Sequence, residues 1–310
     1  MHPSNQKQLY CIEKKFNEII RLHDLKIMPT KILLSGKKGS GKSTLAYHII
    51  NSILSEAEDY KYDKKKYAIN ENNKSYILVK NNTHPNFYLI DLINEKKIIE
   101  VEQIRKMINY TNKSSFDNSP RFILIDNIEN LNQNSTNALL KIIEEPNENI
   151  FFILIHNNNK KIIPTLKSRC LTFNINLSFE ETINITNLLL KVNLFEIISK
   201  DLINYYNSPG EILDLINFAT EKKINLKKFT IIEFLFFIID NNYYKKNKIV
   251  RDLLINYIEF YFLINYKNSK TKDIFLNFYH KFINQINNAN KFNLDEESLF
   301  IEFKSKMLNA

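Results

Sequence analysis

The residues most suited to chemistry lie between positions 36 and 44, where the sequence reads GKKGSGKST. This stretch fits the pattern G-x-x-x-x-G-K-[ST] of a phosphate-binding P-loop. The chain has 4 glycines, and three of them stand in this stretch. Glycine lets backbone N–H groups turn toward an anion without a Cβ in the way, which favours a phosphate-wrapping loop over an incidental turn. The candidate nucleotide-binding residues are Gly36, Gly39, Ser40, Gly41, Lys42, Ser43 and Thr44.

The flanks of this loop predict the elements that would position it. Residues 31–35 read as a short buried strand, and apolar residues recur at helical spacing from Leu45 to Leu54. Phosphate bound between them would lie at the positive end of the helix dipole. Lys42 would then reach the β- and γ-phosphate oxygens, and the Ser43 hydroxyl would be available to Mg²⁺. ATP with Mg²⁺ is therefore the candidate ligand.

A carboxylate stands at the end of another apolar run, RFILID at 121–126. Asp126 would lie at the carboxyl edge of a parallel strand, where a Walker B aspartate holds the Mg²⁺ of a bound nucleotide. The alternative is an aspartate that only makes a turn. A later run, FFILI at 151–155, predicts another strand, and the polar residues 156–159 after it either face the γ-phosphate or form a plain loop.

Composition limits the class of protein. At 310 residues the chain is long enough for two or three domains. Its formal net charge of +9 suggests nucleic acid only weakly, because Asn, Lys and Ile are abundant throughout. Cys11 and Cys170 are the 2 cysteines, and they form no zinc-binding or redox pair. The apolar run at 234–239 is too short to span a bilayer. We expect a soluble cytoplasmic protein without zinc and without a membrane partner.

The order of elements predicts the architecture. Apolar spacing from Leu9 to Leu22 predicts an amphipathic first helix, and strands then alternate with helices up to residue 176, which is typical of a parallel α/β sheet. Asn134 or Ser135 is the expected cap of the helix before Pro146. From Ser178 onward the pattern is helical. We predict domains at 1–176, 177–222 and 223–310. The lysine- and tyrosine-rich segment 55–74 could grip single-stranded nucleic acid, but a solvated insertion is favoured.

These motifs together resemble the bacterial clamp-loader family of AAA+ proteins. The resemblance is carried by the P-loop, by FILID at 122–126, by NALLKIIEEP at 137–146, by SRC at 168–170 and by SPG at 208–210. It is clear from about residue 25 to 220. It implies a AAA+ α/β domain with a parallel sheet, a small helical lid and an all-α collar that joins subunits into a hetero-oligomeric ring.

The resemblance also implies a function and partners. Such a ring opens a sliding clamp and sets it around primed DNA, using ATP binding and hydrolysis. The arginine of the serine-arginine-cysteine motif, here Arg169, reaches into the ATP site of a neighbouring subunit in this family. Arg169 is thus the candidate catalytic residue, acting in trans. The alternative for Arg169 is a surface or interdomain salt bridge.

Two departures from the family pattern predict a weak ATPase. The hydrolysing subunits carry Asp-Glu where this chain has Asp126 and Asn127, and an amide cannot activate water as a carboxylate does. Glu129, two residues further on, is disfavoured as a replacement for the missing carboxylate. Glu211 stands where those subunits place an arginine. The four zinc-binding cysteines of many members are absent. We therefore expect a mainly structural subunit that binds nucleotide. The alternatives are an ATP-hydrolysing motor subunit of the same loader or a P-loop nucleotide kinase.

Overall fold

The computed structural model describes residues 2–93, 96–113, 119–145, 147, 149–268, 272–292 and 294–308. The chain forms two compact units, Met1–Glu181 and Thr182–Ala310. The first unit holds a parallel sheet with helices on both faces, and the second is built from helices. The α/β fold followed by helices is as predicted. The finer division at residues 176 and 222 stays a prediction.

The strands of the first unit are β1 (Lys31–Gly36), β2 (Phe87–Ile90), β3 (Arg121–Ile125), β4 (Ile150–Asn157) and β5 (Leu171–Ile175). Its helices are α1 (Glu13–Asp24), α2 (Lys42–Leu54), α3 (Lys74–Lys80), α4 (Val101–Thr111), α5 (Gln133–Glu144) and α6 (Pro164–Lys167). Short 3₁₀ helices cover Pro3–Asn5 and Ile128–Asn130. The helix α7 (Phe179–Leu190) crosses into the second unit.

The sheet order is β2-β3-β4-β1-β5, and every neighbouring pair is parallel. Successive residues of a strand enter opposite hydrophobic cores: Ile32 and Leu34 pack with α1 and α2, whereas Leu33 packs with α4 and α5. A parallel sheet covered on both faces explains why its strands are almost uniformly apolar. All five strands end at one edge, so the polar residues that follow them are brought together there.

The amino-terminal segment packs differently from the prediction. The helix α1 begins at Glu13, so Leu9 and Ile12 precede it, although both are buried. Leu9 is instead bound through its backbone N–H to the carbonyl of Tyr67. The predicted start at Leu9 was wrong because apolar spacing does not distinguish a helical residue from a buried extended one.

The segment 55–74 is partly buried. Its side chains Tyr62 and Ile69 are in the core, and the Tyr62 ring stacks on that of Phe16 in α1. Lys65 and Lys66 are exposed. The solvated-insertion hypothesis therefore holds for these lysines and was wrong for Tyr62 and Ile69.

The second unit contains helices from α7 onward. These are α8 (Leu194–Ile197), α9 (Pro209–Glu221), α10 (Ile231–Asp240), α11 (Tyr243–Lys246), α12 (Lys248–Asn268), α13 (Lys272–Phe292) and α14 (Glu297–Leu308). Short 3₁₀ helices cover Lys200–Leu202 and Leu226–Lys228. Tyr257 in α12 is buried, and its hydroxyl donates to the Leu202 carbonyl at 2.6 Å. Among the described residues, no helix is both long and apolar enough to cross a bilayer.

His48 links the amino-terminal segment to α2. It is fully buried, its Nε2 lies 3.0 Å from the Gln6 carbonyl oxygen, and its Nδ1 lies 2.9 Å from the Tyr62 hydroxyl. The carbonyl can only accept, so Nε2 carries the proton and Nδ1 accepts from Tyr62. Burial lowers the pKa of His48 to about 4, and the bond to Gln6 opposes this shift.

We predict that His48→Gln removes a pH dependence of stability. Between pH 6.5 and about 4 the unfolded chain binds a proton that folded His48 does not, so wild-type stability falls as the pH falls through this window. The full effect is about 3 kcal/mol. Urea unfolding of both proteins at pH 7 and pH 4 measures it. The free energy of unfolding of the wild type, relative to that of the variant, should be lower at pH 4 than at pH 7 by most of this amount. An unchanged difference would contradict the buried neutral imidazole.

Candidate functional site

The loop after β1 has the backbone that phosphate binding needs. Gly39 and Gly41 have φ of 78° and 88°, a region that other residues rarely adopt, and α2 begins directly after Gly41. Gly36 is required for another reason: a Cβ there would lie 2.3 Å from the carbonyl oxygen of Ile175 in β5. Gly39 and Gly41 thus allow the left-handed backbone conformation of the loop, while Gly36 allows β1 and β5 to approach closely.

Two of the predicted metal ligands meet at the first turn of α2. The Ser43 hydroxyl donates to Asp126 Oδ2 at 2.6 Å, which joins the P-loop to the end of β3. Hydroxyl and carboxylate oxygens are the ligands that Mg²⁺ takes in nucleotide sites, so the donor set fits the expected ion. Lys42 Nζ donates to the Lys37 carbonyl at 2.5 Å. Ser43, Lys42 and Asp126 are therefore brought together as the sequence predicted.

Burial sets the charges of this site. It lowers the pKa of Lys42 to about 8, against the opposing attraction of Asp126 and Glu129. It raises the pKa of Asp126 to about 6, and the negative charge of Asp91 adds to this rise, while bonds from Ser43 and the Asn127 N–H oppose it. A buried lysine and a buried carboxylate with shifted pKa values mark this edge of the sheet as a functional-site candidate.

The strand β4 places an amide between the P-loop and Asp126. It runs to Asn157, so His156 and Asn157 pair with Ser35 and Gly36 and lie in the strand. The Asn157 side-chain Nδ2 donates to Asn127 Oδ1 at 2.8 Å and to Glu129 Oε1 at 3.1 Å. The plain-loop hypothesis was thus wrong for these two residues, because the strand is longer than its apolar core.

The same edge contains two residues that the sequence did not assign to the site. Asp91 follows β2 and its Oδ1 accepts from Asn127 Nδ2 at 2.7 Å. Glu129 is buried and accepts from the Asn157 backbone N–H at 3.2 Å. A continuous chain of side-chain hydrogen bonds therefore joins Asp91, Asn127, Asn157 and Glu129. The available signal for Asp91 was an acidic residue directly after the short apolar run at 87–90.

Arg169 lies at the opposite edge of the sheet. It precedes β5, whose first residue Leu171 pairs with Ile32, near the start of β1, whereas Ile175 pairs with Gly36. Since a strand rises about 3.3 Å per residue, Arg169 is more than roughly 13 Å along the sheet from its own P-loop. Its guanidinium contacts Glu144 Oε1 at 2.6 Å and the Thr165 carbonyl at 2.8 Å. The structure does not bring Arg169 together with the other predicted site residues.

Glu211 has a local structural role in the second unit. Ser208 caps α9 by accepting from the Glu211 N–H, and the Glu211 carboxylate accepts from the Ser208 N–H at 3.0 Å. This reciprocal capping box fixes the start of the helix. The cap explains why a glutamate suits position 211.

The fold and this edge define the class of protein. A parallel sheet in this order, with a P-loop after β1 and a carboxylate after β3 that accepts from the P-loop serine, is that of an AAA+ P-loop protein. The family model described as "DNA polymerase III, delta subunit" matches residues 12–178. The chain belongs to the DNA polymerase III clamp-loader family, which is part of the DNA replication machinery.

Two curated relatives from Buchnera aphidicola subsp. Schizaphis graminum illustrate the similarity. The DNA polymerase III subunit delta′ is 33% identical over 169 residues, covering 54% of this chain and 49% of that protein. The DNA polymerase III subunit gamma is 35% identical over 207 residues, covering 64% of this chain and 54% of that protein. The matched region thus spans about half the length of these relatives.

A solved structure supports the fold over nearly the whole chain. It is a DNA polymerase III gamma subunit-related protein from Thermotoga maritima, with 17% identity and a TM-score of 0.51. The match covers 93% of this chain and 97% of the other. At this identity the likeness speaks for the fold alone.

We predict that Asp126→Asn stabilises the nucleotide-free protein at neutral pH. The folded carboxyl has its pKa raised to about 6 from 3.8, so above pH 6 its ionisation costs about 3 kcal/mol relative to the unfolded chain. The gain should be full at pH 8 and should vanish only below about pH 3, where the carboxyl is protonated in both states. Thermal unfolding across this range measures it.

Asp63→Asn is the matched control for this measurement. Asp63 is only partly buried, and backbone N–H groups of Lys66 and Lys65 hold its pKa below the usual value. Its substitution should bring no gain at pH 8. If Asp126→Asn is less stable than the wild type at pH 8, ionisation of Asp126 does not destabilise the folded protein, which would contradict this prediction.

Proposed function

We propose that this chain is the delta-prime subunit of the DNA polymerase III clamp loader and acts mainly as a stator. In this role it binds neighbouring ATPase subunits, supplies an arginine finger in trans and helps to load the sliding clamp on primed DNA. The observation that carries the proposal is Asn127. It occupies the position beside Asp126 where a hydrolysing subunit needs a carboxylate.

Asn127 is held so that it cannot act on water. Its Nδ2 donates to Asp91, and its Oδ1 accepts from Asn157. An amide also lacks the basicity to take a proton from water. The absence of a base at this position supports nucleotide binding with little or no hydrolysis.

The P-loop supports the binding of ATP with Mg²⁺. In the proposed complex, the loop glycines, Ser40 and Thr44 surround the phosphates. Lys42 contacts the β- and γ-phosphate oxygens. Ser43 and Asp126 would hold the ion, which supplies positive charge against the phosphates when bound. Burial has already removed most water from Lys42, which lowers its pKa to about 8, so it loses less hydration than a surface lysine when it meets a phosphate. The absence of zinc stays a prediction.

The position of Arg169 supports action on a neighbour. Its distance from its own P-loop excludes it from its own site, while 36% of its side chain is exposed. Glu144 and the Thr165 carbonyl restrain the guanidinium at the surface. A restrained, exposed arginine suits the neutralisation of charge that develops on a γ-phosphate of the adjoining subunit.

The proposed partners follow from this role. They are the tau/gamma motor subunits, the delta subunit, the sliding clamp and, indirectly, primed DNA, in a hetero-oligomer in the cytoplasm. Polymerase chemistry belongs to the wider holoenzyme.

A motor subunit of the same loader is the second candidate. It is favoured by the 35% identity to a gamma subunit and by the complete P-loop with Ser43 against Asp126. ATP hydrolysis by the isolated chain separates the two candidates, since a motor turns over ATP and the proposed stator does not. Family membership leaves the nucleotide-kinase alternative without support.

We predict that Arg169→Ala lowers the DNA- and clamp-stimulated ATPase of a reconstituted loader by tenfold or more. The reason is the loss of an arginine finger, whose removal costs several orders of magnitude in related systems. The comparison uses loaders that differ in this chain alone. Lys167→Ala, which removes an exposed cation two residues away, is the control and should retain the rate. An unchanged rate for Arg169→Ala would refute the finger.

We predict that Lys42→Ala leaves clamp loading largely intact. The neighbouring motors perform the hydrolysis, so a weaker nucleotide site in this chain should alter loading by less than a few-fold. Its own affinity for Mg²⁺-ATP should fall, and fluorescent-nucleotide titration measures this. Total loss of loading in a folded Lys42→Ala protein would show that this chain is a working motor.

A further inference from the structure

The Arg169 side chain is held at two points near the amino edge of the sheet. Its Nη1 donates to the Thr165 carbonyl at 2.8 Å, and its Nη2 forms an ion pair with Glu144 Oε1 at 2.6 Å. Thr165 lies in α6, four residues before Arg169, whereas Glu144 is the last residue of α5. Because the guanidinium is a rigid plane, contacts from two different helices fix its direction, which one contact would leave free to pivot.

The helix α5 gives Glu144 a fixed position. Near its start, Asn132 accepts from the Ser135 N–H, and the Ser135 hydroxyl donates to the Ile99 carbonyl at 2.8 Å. Near its end, Ile143 is fully buried in the core that α5 shares with β3 and β4. The carboxylate that meets Arg169 therefore stands on a helix anchored at both ends, which holds a side chain more precisely than a loop does.

Helix stability does not explain a glutamate at position 144. The last turn of a helix carries partial negative charge, so an ionised carboxylate is unfavourable there. The ion pair also adds little to folding, because 36% of the Arg169 side chain and 50% of the Glu144 side chain are exposed, and exposed pairs contribute little. What Glu144 does change is the direction of the guanidinium.

The held guanidinium keeps donors for a further ligand. Arginine has five N–H groups, and in the described part of the chain the contacts with Thr165 and Glu144 occupy at most three of them. At least two N–H groups therefore remain for another acceptor. Two parallel N–H bonds are the usual way in which arginine contacts a phosphate.

We propose that Glu144 is a positioning residue for Arg169, and that it orients the guanidinium toward the γ-phosphate of a nucleotide bound by the neighbouring subunit. Glu144 acts on hydrolysis only through Arg169. Without Glu144, the guanidinium would pivot about the Thr165 carbonyl and would present its N–H groups in the productive direction less often. This inference rests on the proposed function, because it takes Arg169 to act in trans.

The first test is a double-substitution cycle in a reconstituted loader. Glu144→Ala should lower the DNA- and clamp-stimulated ATPase by about threefold or more, with kcat reduced and KM for ATP unchanged. In the Arg169→Ala background, the same substitution should change the rate by less than about twofold, because the group that Glu144 positions is gone. An equal loss in both backgrounds would show that Glu144 acts independently of Arg169, which would overturn the proposal.

Two further variants separate the pair from a general effect of charge. Glu144→Gln keeps an oxygen that can accept from the guanidinium, so it should recover at least half of the rate that Glu144→Ala loses. Glu145→Gln removes the same charge one residue further on, at another exposed side chain, and should retain the wild-type rate. A loss for Glu145→Gln as large as that for Glu144→Ala would contradict the proposal.

The second test uses the isolated chain and needs no nucleotide. Phenylglyoxal reacts with arginine guanidinium groups, and mass spectrometry follows Arg169 separately from the other arginines. Arg169 should react about threefold or more faster in Glu144→Ala than in the wild type, because the ion pair no longer restrains it. The Tm of the variant should fall by no more than about 3 °C, which shows that it is folded. Unchanged reactivity of Arg169 would overturn the pairing.

The outcomes distinguish this inference from the proposed function. If Arg169→Ala leaves the rate of the loader unchanged, the arginine finger is refuted, and the role of Glu144 with it. If Arg169→Ala slows the loader and Glu144→Ala does not, the positioning role alone is refuted and the finger stands.

Discussion

The parallel register of three strands is the constraint on which the candidate site depends. β4 lies between β1 and β3, so its terminal Asn157 is fixed between Gly36 and the end of the strand that carries Asp126. The register is held by apolar side chains on both faces, because a slip of one residue would exchange the two cores. The polar groups at the edge are thus positioned by packing that lies well away from them.

The cost of this arrangement is electrostatic. The charges of Asp126 and Glu129 act on Lys42, and the charge of Asp91 acts on Asp126. Burial disfavours the charged forms of both Lys42 and Asp126. A protein selected only for stability would not keep such groups in its interior. Their retention is typical of a site that binds a charged ligand. The phosphates of the proposed nucleotide would neutralise the lysine, and its metal ion would neutralise the carboxylates.

The sequence predicted those features that depend on local pattern. Glycine placement predicted the P-loop, and apolar runs predicted β1, β3 and β4, because both are determined within a few residues. The expected cap of α5 was wrong. The N-cap is Asn132, whose side chain accepts from the Ser135 N–H, and it lies two residues before Asn134. Pro146, which was expected to stop this helix, lies outside the described residues. Several Asn and Ser residues in a row offer equivalent caps, and sequence alone does not choose among them.

The side-chain network was beyond prediction for a different reason. Asp91 and Asn127 are 36 residues apart, and Asn127 and Asn157 are 30 apart. Their contacts depend on strand order, which alternation of strands and helices does not determine. The positive φ of 57° at Asn127, which favours asparagine over most residues, was equally hidden. An asparagine in an asparagine-rich chain carries little signal until its neighbours are known.

The two edges of the sheet give the first unit a direction. The P-loop opens at the carboxyl edge, and the exposed Arg169 stands at the amino edge. In a twofold dimer, both copies present the same face to each other. Each Arg169 could then reach the partner's P-loop only if the amino and the carboxyl edges both lay at that one interface. If Arg169 acts in trans as proposed, the amino edge of one subunit must meet the carboxyl edge of the next, which is a head-to-tail arrangement. A head-to-tail row of subunits has two ends unless it closes into a ring. In the proposed role, this chain would supply its arginine to one neighbour and would need no arginine from another, which suits an end position.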